Sequence, residues 1–342
     1  MTSSRRPTLR EVAQAAGVSI KTVSRVVTGE ANVSPERSAR VTAAIERLGY
    51  VPDPFASSLR RSDRRTGTVA VLVEDLANPF AASLHRAVVD VMRDHGIVTL
   101  SASTDDQPAI ERQAVAAFLS RRVDGLIVMA SPSAARWLDS VVGGAAPIVL
   151  VDRPVRGVVA DVVRSDHRGG ARHATEHLLL QGHRRVAFLG GRRSSFSARE
   201  RLAGFRAAIT ASGVATAVVE LGLAGSDAAE AAVRRLASGR AAPTAFFTAQ
   251  NLLTLGAVRA LRGIGHQHEI GLLGFDDIPA GDLLDPGISV LAQDPARIGA
   301  IAANRVLARL DGDNSPADLT LVDVSLIARG SGEIAPSRKG RP

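Results

Sequence analysis

From Thr68 onward, short apolar runs alternate with longer amphipathic segments, and this alternation constrains the fold more than any other feature of the 342-residue chain. The runs Val69–Val73, Ile97–Ser101, Gly125–Ala130, Ile148–Val151, Val186–Gly190, Thr216–Leu221, Ala245–Thr248 and Ile270–Gly274 are of strand length. Between them, spacings such as Leu84, Val88, Val91 and Met92 put apolar residues on one face of a helix. Alternation of this kind builds parallel sheets covered by helices on both faces, and such sheets take ligands at the carboxyl ends of their strands. The length of this part suits two lobes rather than a single core.

The first fifty residues follow another rule. Thr8 and Glu11 have the spacing of a capping box, and Leu9, Val12, Ala13 and Ala16 form one apolar stripe. Gly17 allows a sharp turn, Ser19 can cap a second helix, and Val23, Val26 and Val27 make that helix's inner face. A third helix starts at Ser34-Pro35-Glu36, with Ser34 as its cap, and ends near Gly49. Two helices about a glycine turn, supported by a third, make a helix-turn-helix. Next, Pro52, Asp53 and Pro54 open a helix of two turns through Arg61, too short to be stable alone. The expected division is therefore a helix-turn-helix head at 1–50, a short helical linker at 51–66, a two-lobed body at 67–335 and a disordered basic tail at 336–342.

Charge supports that division. Residues 1–65 hold twelve Lys and Arg against six Asp and Glu, whereas residues 66–337 are close to neutral. A basic head on a neutral body points to a polyanion as the head's partner, because Lys and Arg displace counterions from phosphates. On the second helix, Ile20, Lys21, Ser24 and Arg25 lie opposite the valines. An exposed isoleucine is odd on a solvated face but fits a major groove, where it can meet thymine methyls while Lys and Arg reach guanine. The chain has two lysines, Lys21 and Lys339, and the one outside the tail stands on this face. Leu59 on the short helix is read either as a contact with the neighbouring domain or as an apolar wedge in a minor-groove step.

Several classes are set aside. With no cysteine, disulfides and thiolate metal sites or nucleophiles are excluded. The eight histidines lack metal-ligand spacing and no phosphate-binding loop motif is present, so neither a metal nor a cofactor is expected. Ser165, Asp166 and His167 are consecutive, as if on a loop, and cannot align as a catalytic triad, so no enzyme is expected. His183 reads as a helix-end residue, and Trp137 and Tyr50 as packing residues. No secretory leader or membrane span is read, which makes the cytoplasm the expected compartment.

The segments Thr8–Ala13 and Ala16–Val27 resemble the DNA-binding signature of the lactose repressor (LacI/GalR) family of bacterial transcription regulators. The resemblance continues in family order through Asn78-Pro79-Phe80, Arg122-Val123-Asp124-Gly125, Val151-Asp152-Arg153-Pro154, His177-Leu178, Gly182-His183-Arg184-Arg185-Val186-Ala187, Ser197, Arg201-Leu202-Ala203-Gly204-Phe205 and Gly274-Phe275-Asp276-Asp277. It implies an all-α helix-turn-helix head on an α/β, periplasmic-binding-protein-like body. It further implies a homodimer on palindromic double-stranded operator DNA, a repressor of carbohydrate genes under control of a small effector. Ile20, Lys21 and Arg25 would read bases, and Ser19, Thr22 and Ser24 would lie near phosphates. Thr8, Leu9 and Ala56 would join the DNA contacts, and Leu59 would be the wedge of a hinge helix. Thr28, Asp53 and Ser57 depart from the residues common in the family.

For the body, the resemblance implies a pocket of Phe80, Asp152, Ser197, Arg201, Gln250 and Asp276. Carboxylates and a guanidinium can bind vicinal hydroxyls while an aromatic face covers a ring, which suits a sugar, sugar acid or polyol. Plainer readings stand beside it: Phe80 as core, Arg201 as a structural ion pair, Asp276 as a turn residue. Gln250-Asn251 replaces the family's usual Asn-Asp, and Ala81 stands where a second aromatic is frequent. The alternative function is solute binding by a transport-type protein of the same body fold, against which the basic head speaks.

Overall fold

The computed structural model describes residues 7–27, 32–51, 65–131, 133–138, 144 and 146–337. The chain separates between Thr68 and Val69 into two compact units.

In the first unit, α1 (Leu9–Ala16), α2 (Ile20–Val27) and α3 (Pro35–Leu48) pack around Val12, Ala13, Ala16, Val23, Val41 and Ala44. Tyr50 packs against this core. The capping box forms: the Glu11 carboxylate accepts from the Thr8 amide at 2.6 Å, and the Thr8 hydroxyl accepts from the Glu11 amide at 3.3 Å. Ser19 Oγ accepts from the Thr22 amide at 3.1 Å, as its position before α2 requires. Ser34 does occupy the cap position of α3, but its side chain makes no capping bond. Pro35 leaves the first turn with one fewer amide to satisfy. Gly17 turns the chain with φ of +62°, and Arg40 from α3 donates to the Ala16 and Gly17 carbonyls at 2.6 and 3.1 Å. That clamp satisfies carbonyls at the end of α1 that helix geometry leaves open.

The second unit holds two six-stranded sheets. The first contains β1 (Thr68–Val73), β2 (Val98–Ser103), β3 (Gly125–Val128), β4 (Ile148–Val151), β5 (Asp161–Ser165) and β11 (Leu319–Val322), in the order β11-β5-β4-β3-β1-β2. The second contains β6 (Arg185–Leu189), β7 (Thr216–Glu220), β8 (Ala245–Thr248), β9 (Gly271–Phe275), β10 (Ser289–Ala292) and β12 (Ser325–Ile327), in the order β12-β10-β9-β8-β6-β7. The alternating two-lobed architecture stands as expected, with four strands the sequence reading lacks: β5, β10, β11 and β12. β5 carries Asp161 and Arg164 within its five residues, and β11 is half-exposed, so neither reads as an apolar run. β12 pairs antiparallel with β10, an exception to the expected parallel order. Strand ends also move: β2 runs to Ser103, β3 stops at Val128 rather than Ala130, and β9 runs one residue beyond Gly274.

Helices cover both faces of each sheet. In the first lobe, α4 (Pro79–Asp94) and α11 (Pro295–Leu310) pack against one another over one face, and α5 (Pro108–Ser120) and α6 (Ala135–Leu138) supply the other. Trp137 packs there. In the second lobe, α7 (His167–Leu180) packs on α8 (Phe196–Ser212), and α9 (Ser226–Ala237) packs on α10 (Asn251–Gly263). All three of these pairs meet at a glycine: a Cβ on Gly204 would lie 2.1 Å from the Arg168 carbonyl, one on Gly256 2.1 Å from the Ser226 carbonyl, and one on Gly299 2.3 Å from the Leu84 carbonyl. The chain crosses between lobes three times, after β5, β10 and β11. His183 follows the end of α7, its amide donating to the Leu178 carbonyl at 3.4 Å, and it is fully buried, bonded to Thr244 and to the Ile334 carbonyl.

Candidate effector cleft and DNA-reading helix

On α2, Val23 is fully buried while Ile20 is 42% exposed and Lys21 is exposed, so the isoleucine is presented outward as the sequence pattern requires. Ser24 and Arg25 are half-buried beside it. Ser19 and Thr22 share a hydroxyl hydrogen bond of 2.9 Å at the start of the helix. Thr8 is engaged in its cap, and Leu9 packs partly against the head's core. Ala56 and Leu59, with Thr28, Asp53 and Ser57, lie outside the described residues.

The body's cleft is built from residues that follow strand ends, the geometry a parallel sheet provides, and from the starts of two helices. Glu74 and Asp75 follow β1, Met129 follows β3, Asp152 and Arg153 follow β4, Gln250 follows β8, Asp276 follows β9 and Gln293 follows β10. Asn78 and Phe80 come from the start of α4, and Ser197 and Arg201 from the start of α8. All six residues of the expected pocket line this one space.

Two of the aspartates sit in strained backbone. Asp152 and Asp276 have φ of +63° and +73°, a region that Asp tolerates better than bulky residues and that recurs at ligand sites. Both are more than nine-tenths buried. The Arg201 guanidinium lies 3.7 Å over the Phe275 ring, 3.6 Å from the Asp276 carboxylate and 3.3 Å from His167 Nδ1. Because a guanidinium can only donate, Nδ1 accepts and Nε2 carries the hydrogen. Nε2 lies 3.3 Å from both the backbone carbonyl and Oδ1 of Asp152. Gln293 donates to Asp276 from the other side. Burial pushes the Asp152 carboxyl up, but the His167 Nε2–H beside it and the positive charges of Arg153 and Arg201 outweigh burial and hold the group well below the usual carboxylate range.

Arg153 forms a second hub, paired with Glu74, with Asp106 at 2.6 Å and with Asp152 at 3.2 Å. Glu74 is raised by burial and by the negative charges of Asp106 and Asp152, which Arg153 only partly offsets. Thus the cleft offers acceptors on its carboxylates and donors on its arginines and amides, with Phe80 and Met129 as apolar surface. Arg201 Nε and Gln293 Oε1 are buried and bond no protein group.

Sequence reasoning missed Glu74, Asp75, Asn78, Met129, Arg153, Gln293 and His167. Asn78 and Arg153 stood beside chosen residues in the very motifs that carried the resemblance, so proximity could have found them. Gln293 follows a strand that was not anticipated. His167 belonged to the dismissed triad. Ser165 ends β5, Asp166 caps α7 by accepting from the Gly169 amide at 2.9 Å, and His167 is fully buried, so the three are a strand-helix junction rather than a loop.

A compact basic three-helix head and a two-lobed body with a polar cleft define a ligand-responsive DNA-binding regulator. Residues 8–53 match the bacterial regulatory proteins of the lacI family, and residues 175–332 match the periplasmic binding protein-like domain. The HTH-type transcriptional regulator PtxS of Pseudomonas plecoglossicida is 37% identical over 333 residues, 95% of this chain and 96% of the relative. The lac repressor dimer bound to operator and the anti-inducer ONPF superposes with a TM-score of 0.84 at 26% identity, over 96% of this chain and 99% of that one. A complex of the transcriptional regulator CelR with cellobiose matches with a TM-score of 0.70 at 30% identity, over 96% of this chain and 100% of that one. The chain belongs to the lacI family of bacterial regulatory proteins and is a DNA-binding transcriptional regulator. Among the described residues no helix is long and apolar enough to cross a membrane.

Proposed function

We propose that this regulator is a cytoplasmic homodimeric repressor whose cleft takes a sugar, sugar acid or polyol and so controls its hold on a palindromic operator. The observation that carries the effector assignment is that three buried atoms of cleft residues, Asp152 Oδ1, Arg201 Nε and Gln293 Oε1, make no hydrogen bond within the protein. A buried polar atom without a partner costs free energy, and a ligand hydroxyl would relieve both a donor and an acceptor at once. The complex of the neighbouring regulator CelR with cellobiose agrees with a carbohydrate. Phe80, Asp152, Ser197, Arg201, Gln250 and Asp276 would contact the effector, with no catalytic step.

In the head, Ile20, Lys21 and Arg25 would meet base edges, while Thr8, Leu9, Ser19, Thr22 and Ser24 would sit against the backbone. Ala56 and Leu59 would belong to a hinge helix that inserts into the minor groove. Two heads double the base contacts, which favours a palindrome. A lac repressor dimer on its operator supports that assembly.

A thermal-shift screen of the full chain over neutral sugars, sugar acids, polyols, nucleobases and amino acids tests the effector reading. Stabilisation by a polyhydroxylated compound, abolished in Asp276→Asn, is the expected result. A response confined to nucleobases or amino acids would overturn it.

A further inference from the structure

Two helix N-termini meet at the mouth of the cleft, one from each lobe, and a single side chain joins them. Asn78 caps α4: its Oδ1 accepts from the Phe80 amide at 3.0 Å. The same oxygen accepts from Asn251 Nδ2 at 2.9 Å, across the gap between lobes. Asn251 Oδ1 in turn accepts from the Leu252 amide at 2.7 Å, at the start of α10. Gln250, the residue before α10, makes no capping bond with its side chain.

Each helix start carries partial positive charge, and each asparagine oxygen accepts from an amide of its own helix start. The bond across the gap then needs a donor on the second side chain, and the Asn251 amide supplies it. An ionised carboxylate has no donor and could not bond Asn78 Oδ1 while that oxygen stays committed to Phe80. Asn251 is 3% exposed and does not line the cleft, although its neighbours Gln250 and Leu252 border the outer cleft.

We infer that Asn251 is an interlobe latch, a positioning residue that holds the two lobes closed without touching the effector. This rests on the reading of the cleft as an effector site, because a latch shared by the closed, occupied state adds to apparent affinity. One neutral hydrogen bond of this kind corresponds to a change of about 3-fold to 10-fold in the closure equilibrium.

The test uses the full chain without ligand. Because the protein has no cysteine, Gln113→Cys on α5 and Ala207→Cys on α8 place one nitroxide on each lobe, both at exposed positions. Labelled chain is mixed with an excess of unlabelled chain, and the distance between labels is read by pulsed dipolar spectroscopy. Asn251→Ser is too short to reach Asn78 but still suits a helix start, and Asn251→Ala removes the group altogether. Both are expected to lengthen and broaden the distance distribution while Asn251→Ser keeps the thermal midpoint. Both should weaken cellobiose binding about 3-fold to 10-fold if cellobiose binds the parent chain.

An unchanged distribution in both variants overturns the latch. So does a lowered thermal midpoint in Asn251→Ser with no change in distance, which marks a residue that only holds the fold. Failure of the parent chain to bind any sugar counts against the effector reading, and the ligand-free distances then decide the latch on their own.

Discussion

The head and the body of this regulator are held together by different means. Among the described residues, the head's buried side chains are all valine or alanine, Val12, Ala13, Ala16, Val23, Val41 and Ala44, with Leu9, Ile45, Leu48 and Tyr50 only partly buried around them. The body's second lobe buries Phe188, Phe205, Phe246, Phe247 and Phe275 completely, with ring centroids of Phe188, Phe205 and Phe247 between 5.2 and 6.4 Å apart. A fully buried large side chain stabilises by about 1.5–3 kcal/mol, so the body can rely on packing where the head has little to pack. The head relies instead on ends: a capping box, a glycine turn and the Arg40 clamp. Small cores leave a thin unit whose outward face can be given to recognition, and thick cores hold a cleft rigid enough to keep charged groups buried.

The sharpest break in this contrast is expected at the cleft. Arg201→Ala should weaken effector binding by about 100-fold or more, because it strands Asp276 and Asp152 without their shared cation. Operator affinity without effector should stay within about 3-fold of the parent, a change too small to reflect a lost base contact. Calorimetric titration and filter binding on the same preparation check both halves.

Next in size is packing. Gly204→Ala forces a Cβ against the Arg168 backbone and should lower the body's stability by about 3 kcal/mol while leaving the head's transition in place. Arg40→Ala should do the reverse. Removing the clamp from the Ala16 and Gly17 carbonyls is expected to cost the head about 2 kcal/mol and to spare the body. Differential scanning calorimetry with tryptophan fluorescence as a body-specific signal separates the two, since Trp137 is the chain's one tryptophan.

Acid gives the smallest and most gradual effect. Asp152, Asp161 and Glu333, all in the body, are held below their usual range: burial raises each, but hydrogen bonds and cationic partners prevail. Groups depressed by folding contribute stability that is fully present above the unfolded values and is lost as pH falls through the folded ones. The body's thermal midpoint should therefore decline progressively below about pH 4. Glu74 has the opposite sign, since its raised carboxyl favours the protonated form, and Glu74→Gln should flatten the upper part of the pH profile.

How far these features were legible in the sequence depends on whether a residue's role is local. The Thr8 and Glu11 box, the Gly17 turn and the outward Ile20 are set by neighbours three or four residues away, and all three could be read directly. β1, β4 and β8 are continuous apolar runs buried on both faces and were equally plain. β5 alternates buried and half-buried residues and contains Asp161, whose carboxylate binds Arg305 and Arg309 far along the chain, so no local pattern could declare it a strand. Gln293 and His167 escaped for the same reason: each acquires meaning only when a crossover brings it beside Asp276 or Arg201. The resemblance supplied the six expected cleft residues, and the ion-pair network around them could be seen only in three dimensions.

The central claim is that occupancy of the cleft and occupancy of the operator are coupled, and reciprocity tests it most directly. Operator affinity should be measured with and without the sugar that stabilises the protein most, and that sugar's affinity with and without operator DNA. The expected result is the same factor in both directions, between about 5-fold and 150-fold. Tight binding of both ligands with a factor of one in each direction would contradict the account.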